Sequence, residues 1–134
     1  MCEPAGNLEI ARRYLQALER GEPGAALKES FAPDVVFEAF PNRLRPLGGK
    51  QDLAVALESA ERGKKAMSRQ MYKIKQEIAD VDSVALEVEW VGTLAIPFGS
   101  VPAGRQMRVF SAMFLEFRER KIIRQRNYDC YEDW

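Results

Sequence analysis

The sequence predicts an α+β fold in which helices gather on one face of a mainly antiparallel, curled sheet. Three observations predict it. Helical 3–4 spacing and helix punctuation fill the N-terminal half, while period-two patterns fill roughly residues 67–131. The last pattern, RQMRVFSAMFLEFRERKIIRQRNYDCY, reads as two long strands, 105–117 and about 121–131, around a polar turn at Arg118–Lys121. On the first of these strands Met107, Val109, Ser111, Met113, Leu115 and Phe117 share one face, and Phe110, Ala112 and Phe114 share the other. A two-stranded hairpin is marginal in water on its own, so other elements must cover it. One apolar face can line an interior; the other needs a second layer or a second copy of the chain.

Residues 7–20 form an amphipathic helix whose apolar side is Leu8, Ala11, Tyr14, Leu15 and Leu18, with Asn7 as its expected N-cap and Gly21 as its stop. Residues 23–31 suit a short second helix that opens on Pro23 and is closed by Phe31-Ala32-Pro33. Residues 34–40 (DVVFEAF) are rich in β-formers and read as a strand. Pro41, Pro46 and Gly48-Gly49 mark a loop, and 50–64 a third helix with Leu53, Ala56, Leu57 and Ala60 inward. Residues 67–79 and 84–96 are the next strands, joined by a turn at 80–83; the second sets Glu87 and Glu89 opposite Val84, Leu86, Val88 and Trp90. Residues 97–104 are a loop before the hairpin. No linker, repeat or low-complexity segment interrupts the chain, so residues 1–134 are read as one domain with one core.

Composition narrows the function. Apolar residues make up 46% and charged residues 30%, and 20 Lys plus Arg balance 20 Asp plus Glu. A formal net charge of zero gives no case for nucleic-acid binding, and no apolar run approaches the length of a membrane span. The start, MCEPAGNLEI, lacks the basic and apolar regions of a signal peptide, and Cys2 and Cys130 make no disulfide framework, so a cytoplasmic protein with reduced cysteines is expected. The chain has no histidine. That removes the usual zinc ligand and every Ser-His or Cys-His nucleophile, and no cofactor motif replaces them. Acid–base chemistry must rest on carboxylates, Tyr, Lys or water.

Several short motifs carry a family likeness: Arg13-Tyr14-Leu15-Gln16-Ala17-Leu18, the segment Phe31-Ala32-Pro33-Asp34, Gly48-Gly49 before the third helix, and Lys121-Ile122-Ile123 leading into Arg126-Asn127-Tyr128-Asp129. In this order, over nearly the whole chain, they resemble the nuclear transport factor two-like superfamily, which includes ketosteroid isomerase, limonene epoxide hydrolase and the SnoaL-like polyketide cyclases; the SnoaL-like branch fits best. The resemblance implies a cone-shaped sheet whose concave face is covered by the three helices. It also implies a homodimer paired through the convex sheet face. Tyr14 falls where ketosteroid isomerase carries its oxyanion-binding tyrosine, but Ala39 and Met113 stand near its two carboxylate positions. The epoxide hydrolase positions fall on Trp90, Val88, Asn127, Phe37 and Ala39, of which only Asn127 is polar. The resemblance therefore supports neither of those two mechanisms.

If Asn127 faces the interior, so does Asp129 two residues on. With Tyr14, Phe37, Ala39, Val88, Trp90 and Met113 they would form a mostly apolar pocket with a few convergent polar groups, suited to a small apolar or cyclic metabolite. Desolvation there would raise the Asp129 pKa and fit it for acid–base work, with Tyr14 and Asn127 as hydrogen-bond donors. Each residue also has a plainer role open to it: core packing for Tyr14, Phe37 and Trp90, backbone capping for Asn127, and a salt bridge to Arg124 or Arg126 for Asp129. The basic group Arg120, Lys121, Arg124 and Arg126 is expected to be a solvated face paired with Glu87 and Glu89. Two functions follow: a SnoaL-like enzyme of the isomerase, cyclase or dehydratase kind, or a non-catalytic domain that binds or senses an apolar ligand.

Overall fold

The structure is a computed structural model that describes residues 4–133. Three helices and six strands follow in the order α1 (Pro4–Arg20), α2 (Gly24–Leu27), β1 (Phe31–Ala39), β2 (Gly49–Gln51), α3 (Leu53–Ala66), β3 (Met67–Ala79), β4 (Ser83–Leu94), β5 (Gln106–Arg118) and β6 (Lys121–Tyr131). The strands form one curled sheet in the order β2-β1-β6-β5-β4-β3; β1 runs parallel to β6 and every other pairing is antiparallel. α1 lies against β3 and β4, and α3 against β1 and β3. This is the α+β cone that the sequence predicts.

Four boundaries differ, each for a local reason. α1 opens at Pro4, a residue that fits the first helical turn because it has no N–H to lose. Asn7 is therefore not a cap. It is fully buried inside the helix, and its Nδ2 donates to the Val81 carbonyl at 3.0 Å, fixing α1 to the β3–β4 turn. The second helix is only one turn, continued by a 3-10 turn at Lys28–Ser30, because Phe31-Ala32-Pro33 already belongs to β1, with Phe31 and Ala32 buried. Residues 49–51 pair with Phe37–Ala39 as a short strand, so α3 starts only after Asp52, whose Oδ1 caps the Val55 N–H at 2.9 Å. β4 ends at Leu94, short of the expected Ile96, which is exposed.

The interior holds two apolar clusters. The larger joins Ala11, Tyr14 and Leu15 of α1 to the inner face of the sheet, Val84, Leu86, Val88, Met113, Leu115, Phe117 and Ile122 among it. The smaller joins Leu94, Val101 and Met107, with Met67 and Trp90 packed against it. The edge strand β3 is held from α1: Arg12 donates to both carboxylate oxygens of Glu77 at 2.7 Å, and the Glu19 carboxylate accepts the Tyr72 N–H at 2.8 Å.

One irregularity sets the inner wall of the site. Phe117 pairs with Ile122, but Glu116 pairs with Arg124, so Ile123 is an extra residue in β6. Beyond this bulge Gln125, Asn127, Asp129 and Tyr131 turn inward and Arg124, Arg126, Tyr128 and Cys130 turn outward. Arg124 and Arg126 reach Glu116, at 3.6 and 2.7 Å, and not Glu87 or Glu89; Glu89 instead holds Lys75 and Arg108, at 3.5 and 3.3 Å. Cys130 is a free, exposed thiol. Cys2 and Trp134 lie outside the described residues.

Candidate functional site

Between the two apolar clusters the sheet and α1 enclose a cavity of about 420 Å³. The helical spacing of α1 brings Tyr14 and Leu18 to its wall. β4 contributes Val88, Trp90 and Leu94 by alternation, and β5 contributes Met107, Val109, Ser111 and Met113. The inner face of β6 supplies Gln125, Asn127, Asp129 and Tyr131, which gather the polar groups on one strand. Trp90 is held against the wall: its Nε1 donates to Gln70 Oε1 at 3.1 Å, and its ring covers Gly92, where a Cβ would lie 2.3 Å from the indole. A residue other than glycine there would force the ring to move.

The polar groups form two linked sets. In the first, the buried Tyr14 hydroxyl donates to Gln125 Oε1 at 2.9 Å, and Gln125 Nε2 donates to Asn127 Oδ1 at 2.9 Å. The relay orients Asn127 so that its Nδ2 is the terminal donor, without a partner among the described residues. In the second, Ser111 and Asp129 are directly opposed across β5 and β6, and Ser111 Oγ donates to Asp129 Oδ1 at 2.5 Å. Asp129 makes no ion pair with Arg124 or Arg126, which lie on the other face of the strand. Burial pushes the Tyr14 hydroxyl far above the ordinary tyrosine range, an effect only partly offset by its Gln125 acceptor. It does the same to Tyr72, and it pushes Tyr131 up to about 12 with help from the nearby Asp129 charge. These tyrosines are neutral donors and not bases at physiological pH.

The expected site residues thus fall in two places. Tyr14, Val88, Trp90, Met113, Asn127 and Asp129 line the one cavity. Phe37 and Ala39 line a smaller neighbouring one, with Phe37 also packed edge-on against Phe31 at 5.0 Å. Gln125 and Tyr131 were not expected, although the alternation that selects Asn127 and Asp129 also selects them. Gln70 and Tyr72 were missed because the alternation of β3 is imperfect. Among the described residues no cluster of His, Cys, Asp and Glu could hold a metal ion, and no helix is long and apolar enough to cross a membrane.

Comparison with known proteins shows the family and the fold. The sequence profile of the SnoaL-like domain matches residues 11–125. The chain belongs to the SnoaL-like family. Solved structures agree on the fold. AclR, a proposed hydroxylase from Streptomyces galilaeus, superposes with a TM-score of 0.80 at 20% identity, over 95% of this chain and 76% of that one. IdmH, a proposed polyketide cyclase from Streptomyces antibioticus, gives 0.79 at 20% identity, over 92% of this SnoaL-like chain and 91% of its own. An LEH-like epoxide hydrolase from M. tuberculosis gives 0.73 at 13% identity, over 96% and 84%. No curated protein sequence matches the chain.

Proposed function

We propose that this SnoaL-like protein is an enzyme of the cyclase or isomerase type that moves a proton on a cyclic, largely apolar metabolite. One observation carries the reading. Among the described residues Asp129 is the only charged one lining the main cavity, between walls that are otherwise apolar or neutral. A single carboxylate in such a place accepts a proton from a carbon beside a carbonyl and returns it elsewhere. The Asn127 amide, held by Gln125 and Tyr14, donates to the oxygen on which negative charge develops. Ser111 fixes the carboxylate rotamer. Trp90, Val109 and Met107 supply a flat apolar bed for rings. Similarity to a polyketide cyclase supports the same class.

The second reading, a non-catalytic ligand-binding domain, draws on Ala39 and Met113, which stand where the isomerases of this fold carry carboxylates. Hydrogen–deuterium exchange at the α-carbon of α-tetralone, followed by NMR in D2O, separates the two. The wild-type protein is expected to accelerate exchange, and Asp129→Asn to lower the acceleration by about 100-fold or more, the usual weight of a general base. Equal exchange with both proteins, with tetralone still bound, leaves the binding domain as the function.

A further inference from the structure

The main cavity has a smaller neighbour of about 240 Å³, and the two share Leu44, Gln125, Asn127, Asp129 and Tyr131 as a common wall. Their chemistry differs. The small chamber adds Asn42, Arg45 and Gln51 from the β1–β2 loop and β2, and among the described residues Arg45 is the only cation lining either space. Arg45 makes no ion pair among the described residues. The Gln51 carboxamide, turned with its oxygen toward Arg45, is its side-chain partner and accepts from both terminal guanidinium nitrogens. The charge nevertheless reaches the shared wall, since Arg45 opposes the upward shift of the Tyr131 hydroxyl.

The loop that presents Arg45 is built to hold its shape. Asn42 Oδ1 accepts the N–H groups of Leu44 and Arg45 at 2.9 and 3.0 Å. The Arg45 carbonyl accepts from Asn42 N at 3.0 Å and from Gly48 N at 2.9 Å. Gly48 has φ +68°, and a Cβ there would meet the Ala39 carbonyl at 2.6 Å, so this tight closure requires glycine.

We propose that the small chamber is a subsite for a carboxylate on the ligand, bound by Arg45. The ligand is then an amphiphile: an apolar ring body lies against Trp90 and Val109, an acid group lies against Arg45, and Asp129 and Asn127 meet the bond framework between them. A guanidinium without a carboxylate partner, facing a half-enclosed polar space, matches a planar anion in both charge and shape. The charge count favours a monoanion over a phosphate. Glu38 and Asp129 also line the chamber, so a dianion would face two carboxylates with one cation to offset them.

The inference rests on the cavity reading above, and its test separates the two. The probes are anthraquinone-2-carboxylate and the uncharged anthraquinone-2-carboxamide, titrated calorimetrically into the full chain. Wild-type protein is expected to bind the carboxylate about tenfold more tightly, the minimum for one charge-assisted contact. Arg45→Gln should remove that preference and leave carboxamide affinity unchanged, while Arg45→Lys should keep part of it. Equal affinity of wild type for both probes, or a preference that survives in Arg45→Gln, overturns the subsite and leaves the cavity reading intact. Failure of both probes to bind wild-type protein overturns both.

Discussion

Tyr14, Gln125 and Asn127 show how far apart in sequence a single polar unit can be drawn: the first hydrogen bond spans 111 positions. No local pattern announces such a pairing, so the sequence indicates that Tyr14 and Asn127 face the interior but not that Gln125 joins them. Asn7 is a different case. Its residue type suits a cap, yet Pro4 moves the helix start a turn earlier and Asn7 becomes a buried tether. The tyrosines also fix a pH response. Burial pushes Tyr14 and Tyr72 well above the ordinary range and Tyr131 up to about 12. A raised pKa means that the fold favours the protonated phenol. The stability this gives is complete below the unfolded value of about 10 and is lost as pH rises toward and through the folded values. The urea midpoint followed by circular dichroism is therefore expected to fall between pH 9 and pH 11.5, and Tyr72→Phe should lessen that fall. An unchanged fall in this variant would mean that the phenol is not the titrating group.

At the scale of elements, the long strands were legible because period-two patterning persists over a dozen residues and register noise averages out. The three-residue β2 was not, since three residues carry no period, and its loop hid Arg45 for the same reason. The bulge at Ile123 was hidden by composition: Ile122 and Ile123 are both apolar, so the alternation gives no sign that one is surplus. The β5–β6 turn shows a local conflict. Glu119 and Arg120 take φ values of 51° and 64°, the mirror-image turn that matches strand twist but suits Asn-Gly far better than two long charged residues. Replacing them, Glu119→Asn with Arg120→Gly, should relieve roughly 1–2 kcal/mol of left-handed strain. A thermal melt is expected to rise by several degrees; an unchanged melt would show that the turn conformation is not limiting.

For the whole molecule, the outer sheet face is the unfinished part. Phe110, Phe114 and Tyr128 are exposed on it, and Tyr128 stacks on Phe40 at 4.3 Å and meets Phe114 edge-on at 5.7 Å. The helices that pack on the sheet, α1 and α3, lie on its other face. We infer that a second copy of the chain covers this aromatic patch around a twofold axis, because contiguous exposed apolar surface marks an interaction site and twofold pairing is the commonest assembly. Light scattering is expected to give twice the 15.2 kDa chain mass, and Phe110→Glu with Phe114→Glu to give the single mass. A single mass for the unmodified protein at micromolar concentration removes the dimer.

The extra residue in β6 has a consequence for how such a pocket changes over time. Because alternation has a period of two, the bulge is what keeps Ile122 and Gln125, three positions apart, on the same inner side. Losing Ile123 would leave Arg124 opposite Glu116, and Gln125, Asn127 and Asp129 facing the hollow. Drawing Ile123 into the ladder opposite Glu116 would instead turn Arg124, Arg126 and Tyr128 inward and Gln125, Asn127 and Asp129 to solvent. Ironing out the bulge with Ile123 retained would thus exchange an acid-and-amide wall for a cationic one, a change that would otherwise take several independent substitutions. In this fold, a one-residue shift of register within a strand is therefore a direct route to new chemistry, and comparisons that score only substitutions will overlook it.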